Sequence, residues 1–234
     1  MNPLEDPLLS GVAHGFGVRG FEGPAGLLQP RQVHGSVVVS AADCRGRREP
    51  PDADVIVCAE SRQPVAVITA DCVPILMTTS DGAAVAAIHA GWRGLAAGVV
   101  QAGVEALLRL ADCSPGSIRA AIGPHIGPCC YEVDAPVVEP LQRLFGERFG
   151  LFRRAVPTRP GRDRIDLGGL VREALLDLGV PEDAVGQAAA ACTRCDSERF
   201  HSYRRDGKRA GRLVHFIAAR NPAVGSERKT DIQA

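Results

Sequence analysis

One stretch, residues 69–94, constrains the fold of this 234-residue chain more than any other. It begins with Thr-Ala-Asp-Cys at 69–72, continues as an apolar run, turns at Asp81 and Gly82, and ends with His-Ala-Gly-Trp-Arg-Gly at 89–94. Asp-Gly between two apolar runs is the strongest short-range signal for a β-hairpin, because a type I′ turn needs positive φ at both central residues. The stretch therefore predicts two antiparallel strands joined at Asp81 and Gly82.

The hairpin also predicts which side chains share a face of the sheet. With the Asp-Gly pair as a two-residue loop, Pro74 lies opposite His89. Cys72 lies two residues before Pro74 and therefore on the same face, diagonal to His89, with Cα atoms roughly 7–8 Å apart. That separation suits a shared metal ion or a thiol–imidazole pair. Pro74 cannot donate a ladder hydrogen bond, so we expect an edge strand or a strand that begins there.

A third candidate ligand precedes the hairpin. Residues 32–35 read Gln-Val-His-Gly and lead into a β-branched run at 37–39, so His34 also lies at a strand end beside a glycine. Imidazole and thiolate suit Zn²⁺, and three protein ligands with a fourth position open are typical of catalytic zinc. His34, Cys72 and His89 therefore form a candidate metal site. Cys72 and His89 alone also fit a thiol nucleophile beside its base.

Five motifs occur in order along the chain: the three above, Gly-Pro-x-Ile-x-x-Cys-Cys-Tyr-Glu-Val at 123–133, and Ser-Tyr-Arg-Arg-Asp-Gly at 202–207. Together they resemble the family called multicopper polyphenol oxidases or laccase-domain proteins, over residues 14–220. Its members have also been described as purine nucleoside phosphorylases with adenosine deaminase activity and as peptidoglycan editing factors. The resemblance implies one Zn²⁺ per chain on His34, Cys72 and His89, with copper as an adventitious substitute.

The resemblance also implies a function. We expect a zinc-dependent purine nucleoside phosphorylase with adenosine deaminase and methylthioadenosine phosphorylase activity, whose partners are purine nucleosides and inorganic phosphate. Phosphorolysis needs cations that hold phosphate at the attack position. The arginines in family-like motifs that are candidates for this clamp are Arg19, Arg93, Arg204 and Arg205. Tyr203 and Trp92 are candidates for stacking on the purine, although Trp92 equally fits a place in the core.

Three carboxylates are candidates for the proton shuttle that a deaminase needs beside its metal. Asp71 is next to Cys72 in sequence, and Asp52 and Asp54 are the others. The competing interpretation of Asp71 is a turn residue whose carboxylate caps backbone N–H groups. With Cys72 and His89, Asp71 completes the predicted catalytic set.

Two other classes of function fit the same residues. A metal-free Cys72–His89 amidase or deamidase could act on a peptidoglycan precursor, since the fold of the resembled family is likened to bacterial toxin deamidases. A non-catalytic protein could hold a structural zinc closed by a fourth ligand, for which Cys129 and Cys130 are candidates. A four-copper laccase is excluded, because its trinuclear cluster needs many more histidines than the six of this chain.

The remaining cysteines give weaker signals. The chain has eight, and in a reducing compartment they serve as ligands, nucleophiles or core residues rather than disulfides. Cys192 and Cys195 form a C-x-x-C pair, but no second such pair follows and no thioredoxin-like context precedes it. We therefore expect these two to pack, and Cys129 and Cys130 to pack near the pocket.

Composition bounds the partners and the location. Net charge is formally zero, so no global field attracts nucleic acid or a membrane surface. The first residues lack the basic and apolar regions of a signal peptide, and no apolar run reaches the roughly 18 residues of a membrane span. We expect a cytoplasmic protein, and a monomer.

The pattern of elements predicts one α+β domain with a mixed β-sheet and flanking helices, and the resemblance implies the toxin-deamidase or laccase-domain fold. We expect a flexible start at 1–10, a single catalytic domain at 11–220 and a flexible tail at 221–234. Helices are predicted over 93–110, from Asp134, and from Asp166 to Leu178. A strand at 187–193 and a final hairpin of 200–203 with 213–219 complete the pattern. The segment between Arg19 and Gln32 is shorter than in the family, which predicts a more open pocket.

Overall fold

The structure, a computed structural model, describes residues 1–221. Within them it has twelve β-strands and six α-helices, joined by loops and short 3₁₀ turns. The strands are β1 Ala13–Gly15, β2 Val38–Ser40, β3 Val55–Cys58, β4 Pro64–Thr69, β5 Val73–Thr79, β6 Val85–Ala90, β7 Ile118–Ile122, β8 Glu132–Val133, β9 Arg153–Ala155, β10 Asp163–Ile165, β11 Val185–Gly186 and β12 Leu213–Ala218. The helices are α1 Ala41–Cys44, α2 Trp92–Ala96, α3 Val99–Ala111, α4 Ala135–Phe145, α5 Leu167–Asp177 and α6 Tyr203–Asp206.

The strands form three sheets. The central sheet has six strands in the order β11-β7-β5-β6-β3-β2, antiparallel in the middle and parallel at both edges. A second sheet, β1-β12-β4, is antiparallel, and so is the small sheet β8-β10-β9. The predicted α+β architecture, a mixed sheet with flanking helices, is confirmed.

Both faces of the central sheet are covered. Along β5, Ile75 and Met77 pack with helices α3, α4 and α5, whereas Leu76 packs with Val65 and Ile217 of the second sheet. Every residue of β5 and β6 is therefore buried, and both strands read as continuous apolar runs rather than as alternating patterns. The face of the central sheet toward the second sheet is the one that carries the candidate site.

The register predicted for the central hairpin is confirmed, but its turn differs. Pro74 pairs with His89 one position inside the start of β5. The connection is longer than two residues: the Thr79 amide donates to the Ala84 carbonyl, and only Gly82 of the Asp-Gly pair has positive φ, at 74°. The Asp81 carboxylate accepts the Ala83 amide at 3.0 Å and the Thr79 hydroxyl at 2.6 Å. These side-chain bonds stabilise a wider loop with the same strand pairing.

Several predicted elements change in extent. The helix predicted over 93–110 is broken into α2 and α3, because Gly98 takes a left-handed conformation with φ of 81°. The strand predicted at 187–193 does not form: β11 ends just before it, and within it the structure has one isolated bridge, between Cys192 and His125. The final hairpin does not form: residues 203–206 are helical, and β12 pairs with β1 and β4 instead. The helices from Asp134 and from Asp166 are present.

The start of the chain, expected to be flexible, packs against the domain. The amide of Leu4 donates to the Phe16 carbonyl, and Leu9 is fully buried in the core beside the second sheet. Apart from Asn221, the tail predicted at 221–234 lies outside the described residues. Among the helices of residues 1–221, none is long and apolar enough to cross a membrane.

Candidate functional site

His34, Cys72 and His89 come together at one end of the central hairpin. Their ligand atoms all lie within 4.8 Å of one another, and the Cys72 Sγ is 3.9 Å from the His34 Nε2. The two imidazole rings meet edge to face with centroids 4.8 Å apart. His89 is buried within β6, Cys72 immediately precedes β5, and His34 lies on an exposed loop before β2. The three residues form what we call the pocket cluster.

A buried carboxylate holds two of these residues in place. Asp54 is fully buried, and its Oδ1 accepts the His89 Nδ1–H at 2.7 Å and the His34 amide at 3.0 Å. Its Oδ2 accepts the Gly35 amide at 2.6 Å. Because Nδ1 of His89 is engaged, its Nε2 is left to face the other two ligands. Sequence reasoning named Asp54 only as a proton-shuttle candidate and missed this orienting contact.

The pocket cluster favours a thiolate. Burial opposes ionisation of the Cys72 thiol, but hydrogen bonds and positive charge from His34 and His89 outweigh it and lower its pKa to about 6. Burial likewise disfavours the imidazolium of His89, yet hydrogen bonds to Asp54 and Cys72 raise its pKa to about 9. A thiolate beside two imidazoles is both a metal-binding donor set and an activated nucleophile with its base.

The backbone leaves room for these donors. A Cβ on Gly91 would come within 3.0 Å of both the Cys72 Sγ and the His34 Cδ2. Within residues 1–221, no fourth His, Cys, Asp or Glu ligand atom joins the pocket cluster. Two imidazoles, one thiolate and an open fourth position fit Zn²⁺, and the same N₂S set also accepts copper.

The pocket cluster lies in a cleft of about 750 Å³. Of the residues predicted to bind substrate, Arg93, Tyr203 and Arg204 line this cleft. The Arg93 guanidinium stacks 4.2 Å above the Trp92 ring, and Trp92 packs partly against the core, so its stacking on a purine stays a prediction. The wall also contains cleft residues that sequence reasoning did not single out: Gln32, Ile126, Tyr131 and Arg212.

Asp71 also lines the cleft, but its carboxylate is engaged. Oδ1 accepts the Thr193 hydroxyl at 2.6 Å, and Oδ2 accepts the Arg204 amide at 2.6 Å. The residue has a φ of 99°, which is rare outside glycine, and it is buried. These contacts match the turn-capping interpretation, and a role as proton shuttle stays a prediction.

Arg19 and Arg205 do not reach the cleft. Arg205 donates to the Thr193 carbonyl at 3.0 Å and the Phe200 carbonyl at 2.9 Å, and it pairs with Asp206. Arg19 donates to the Phe200 carbonyl at 3.0 Å and lies 3.6 Å from Asp206. Both brace the segment that carries Tyr203 and Arg204, so contact of either one with phosphate stays a prediction.

The four remaining cysteine candidates form a second group. The thiols of Cys129, Cys130, Cys192 and Cys195 all lie within 4.8 Å of one another. The C-x-x-C pair therefore lies beside the adjacent pair some 65 residues upstream, and the expectation that all four only pack stays a prediction. Cys129 and Cys130 thus belong to this group and not to the pocket cluster.

Three further histidines have structural partners. His14 accepts the Asp6 amide at 3.0 Å, His125 bonds to the Gly123 carbonyl at 2.8 Å, and His215 bonds to Thr69 at 2.8 Å. In the part of the chain that the structure describes, none of them joins a group of potential metal ligands. The exclusion of a four-copper laccase therefore rests on placement as well as on the histidine count.

Comparison with known proteins places the chain among relatives. The family model described as "Multi-copper polyphenol oxidoreductase laccase" matches residues 18–220. The chain is 37% identical over 170 residues to "Purine nucleoside phosphorylase YlmD" of Geobacillus stearothermophilus, covering 73% of this chain and 61% of that protein. It is 36% identical over 200 residues to "Purine nucleoside phosphorylase SCO2081" of Streptomyces coelicolor, covering 83% and 75%. The chain thus spans about three fifths of the length of the Geobacillus relative.

Solved structures show the same fold. The crystal structure of YlmD from Geobacillus stearothermophilus matches with a TM-score of 0.81 and 29% identity, covering 92% of this chain and 94% of that one. The Neisseria meningitidis protein NMB0706 matches with a TM-score of 0.75 and 34% identity, covering 83% and 75%.

Proposed function

Since this chain belongs to the multi-copper polyphenol oxidoreductase laccase family, we propose that it is a metal-dependent purine nucleoside phosphorylase. The observation that carries the proposal is a single cleft in which the pocket cluster lies together with the guanidinium groups of Arg93 and Arg204. The names of the relatives, purine nucleoside phosphorylases, agree with it.

The cleft suits a nucleoside and a phosphate. Small-molecule sites have volumes of about 300–1,000 Å³, and this one has about 750 Å³. Tyr203 is 53% exposed at the cleft and can offer a ring face to a purine. Arg93 and Arg204 are the cations that would bind phosphate through charge-assisted hydrogen bonds.

The proposed reaction is attack of a phosphate oxygen on the anomeric carbon of the ribose. The bond from that carbon to the purine nitrogen breaks, its electron pair stays on the base, and a proton restores the neutral purine. The products are ribose 1-phosphate and the free base. Arg93 and Arg204 orient the phosphate and offset its charge, and the aromatic wall of the cleft keeps the base aligned.

We assign zinc to the pocket cluster, with copper as an adventitious substitute. The chemistry that this ion supplies is Lewis acidity toward substrate or water. Asp54 fixes the His89 ring, and His34 and Cys72 complete the donor set. Adenosine deamination and methylthioadenosine phosphorolysis are assigned to the same cleft, and in the deamination water replaces the exocyclic amine as ammonia leaves. Asp71 is the proposed proton shuttle, beside Cys72.

The test compares metal content with activity. Wild-type protein, His89→Ala and Cys72→Ser are assayed for zinc and for phosphate-dependent cleavage of inosine. We expect both variants to lose the pocket ion and the cleavage together, and Cys113→Ser, a half-buried cysteine outside both clusters, to keep both. Full phosphorolysis by the two variants would contradict the proposal. We place the protein in the cytoplasm. We also propose that it is a monomer, and size-exclusion chromatography tests this oligomeric state.

A second candidate function rests on the ionisation of the pocket cluster. A thiolate with a pKa of about 6, beside His89 and the orienting Asp54, is the arrangement of a cysteine amidase or deamidase. Its substrate would be a peptidoglycan precursor. Metal-free protein that is inactivated by iodoacetamide at Cys72, and that hydrolyses amides without metal, would favour this function. Restoration of inosine cleavage by zinc would favour the phosphorylase.

A further inference from the structure

The second cysteine group, which we call the thiol cluster, joins two loops that are distant in sequence. Cys129 and Cys130 follow the 123–128 loop, and Cys192 and Cys195 lie on the loop after β11. The Cys195 Sγ is 3.4 Å from the Cys130 Sγ and 3.6 Å from the Cys129 Sγ. Four thiols converge on one point, yet the phosphorylase proposal uses none of them.

The spacing of these thiols fits one tetrahedral ion. With Zn–S bonds of about 2.3 Å, the thiolates of a tetrahedral Cys₄ site lie about 3.8 Å apart. All four thiols lie within 4.8 Å of one another, and two of the distances are 3.4 and 3.6 Å. An iron–sulfur cluster places some of its thiolates further apart, because its four thiolates are divided among two or four irons.

The surroundings offset the negative charge of such a site. The Gly127 amide donates to the Cys192 Sγ at 3.3 Å, and a Cβ on Gly127 would come within 3.4 Å of the Cys129 Sγ. Arg194 lines the same surface depression as Cys130. Further arginines share this depression: Arg159, Arg162 and Arg204. A site with four thiolates and one divalent ion has a charge of −2, which the Gly127 amide and the positive charge of Arg194 would partly offset.

The thiol cluster lies directly behind one wall of the cleft. Tyr131, next to Cys130, lines that wall. Thr193, next to Cys192, donates to the Asp71 carboxylate and accepts from Arg205. The backbone amide of Thr193 also donates to the His125 carbonyl at 2.9 Å, which joins the two loops. A cross-link here would fix the wall without contacting the substrate.

We propose that Cys129, Cys130, Cys192 and Cys195 bind one structural Zn²⁺ that locks the two loops behind the cleft. The site is closed, because four protein thiolates complete its coordination, and it is separate from the pocket cluster. The reaction is an exchange in which four thiols lose their protons to solvent as four Zn–S bonds form. No oxidant is needed.

The test counts metal ions per folded chain. Wild-type protein and variants are expressed with zinc and purified under reducing conditions. Elemental mass spectrometry and native mass spectrometry of the intact protein then give the number of zinc ions per chain. We expect Cys72→Ser to keep one zinc, and Cys195→Ser and Cys129→Ser to lose one relative to wild type. Cys113→Ser, the matched control, should keep the wild-type content. Circular dichroism confirms that each counted sample is folded.

A second readout does not depend on counting metal ions. Cobalt introduced into Cys72→Ser should show the intense visible absorption of tetrahedral thiolate-bound cobalt. Loss of the ion in Cys195→Ser should lower the Tm by about 5 °C or more, since it removes a cross-link between loops.

Three outcomes would overturn the inference. They are a Cys72→Ser protein with no zinc and freely titrating thiols, disulfides among the four cysteines in the native protein, and iron with acid-labile sulfide. Failure of the phosphorylase proposal gives a different result. In that case inosine is not cleaved, but the zinc of the thiol cluster is still present in Cys72→Ser.

Discussion

The two clusters of potential metal ligands in this protein, the pocket cluster and the thiol cluster, are held in opposite ways. The pocket cluster is anchored to the central sheet: the position of His89 is set by strand pairing, and the fully buried Asp54 holds both the His89 ring and the backbone of His34 by hydrogen bonds. The thiol cluster is built on loops, and Cys129 and Cys195 are exposed. A site on rigid strands keeps its geometry without an ion, which suits a centre that must exchange substrates. Exposed thiols on loops are held less tightly, and a metal cross-link would fix their positions.

This contrast predicts that the pocket cluster determines activity and that the thiol cluster determines stability. Loss of a ligand from the pocket cluster should abolish chemistry and barely change folding, whereas loss of one from the thiol cluster should do the reverse. The experiments below test this contrast, from the largest expected effect to the smallest.

The largest effect is expected when His34→Asn, a change in the pocket cluster, is compared with Cys195→Ser, a change in the thiol cluster, in both Tm and kcat/KM. His34 is exposed and has a φ of 62°, which asparagine tolerates, so His34→Asn should keep the wild-type Tm within about 2 °C. Its kcat/KM for inosine should fall by at least about 100-fold, because even residues that only orient metal ligands change affinity or activity by 10–100-fold. Cys195→Ser should have a lower Tm than wild type. At temperatures where it is folded, its kcat/KM should stay within about 3-fold of the wild-type value.

The matched control is Cys113→Ser, which should change neither quantity. The contrast is wrong if His34→Asn unfolds as readily as Cys195→Ser, or if Cys195→Ser loses activity while it is fully folded.

The next largest effect is expected from Asp54→Asn, which tests whether Asp54 holds the His89 ring in place. Asp54→Asn keeps the volume of the side chain but replaces an acceptor oxygen with a donor that faces backbone amides. The His89 ring then loses its anchor, and we expect zinc affinity to fall by about 10–100-fold. Competition with a chelator measures this affinity. Asp52→Asn, on an exposed carboxylate that pairs with Arg31, is the control and should leave the affinity unchanged. Equal affinities of the two variants would show that Asp54 does not orient His89.

The comparison also shows what the sequence could predict. The placement of Cys72 beside His89 was predictable because strand period and the position of a turn fix which residues of one hairpin share a face, whereas His34 was added from its place at a strand end and from the resemblance of its motif to the family. That is why the pairing of Pro74 with His89 was correct, even though the turn was not type I′. Local rules of this kind do not depend on how distant segments meet.

The thiol cluster and Asp54 were not predictable in this way. Cys130 and Cys195 are 65 residues apart, and each pair alone resembles packing residues. The role of Asp54 follows from the pairing of β3 with β6, which no local pattern specifies. The contacts of Arg19 and Arg205 were equally hard to predict. Their positions in the motifs do not show that they donate to backbone carbonyls instead of lining the cleft. Contacts between distant segments are set by packing of the whole domain.

A third effect is acid sensitivity on the pocket side. His215 is fully buried under the floor of the cleft, where it bonds to Thr69 and to the Gly17 amide. Burial, together with the charge of His89, lowers its pKa to about 3. In the unfolded chain this imidazole has a pKa of about 6.5 and binds a proton below that pH, whereas in the folded protein it stays neutral. The free energy of unfolding therefore falls as the pH drops below 6.5. The loss is about 1.4 kcal/mol per pH unit, or about 2 kcal/mol at pH 5.

Urea unfolding at pH 8 and pH 5 measures this loss, with His215→Gln as the comparison. His125 is also buried with a lowered pKa, but it contributes to both proteins, so the difference in acid slope isolates His215. Equal slopes for the two proteins would exclude His215 as a source of the acid sensitivity.

The smallest effect is expected at Tyr203, which lies between the two clusters. Its neighbour Arg205 binds carbonyls beside the thiol cluster, and its neighbour Arg204 donates its amide to Asp71 of the cleft. If the ring stacks on the purine, Tyr203→Ala should raise KM for inosine by about 2–12-fold, the equivalent of 0.5–1.5 kcal/mol, and leave kcat unchanged. Tyr203→Phe keeps the ring face and should keep KM. Metal content should stay at the wild-type level in both variants, because the tyrosine contributes no ligand to either cluster. A fall in kcat with loss of metal would instead mean that this segment transmits strain between the clusters, and the separation of activity from stability would not hold.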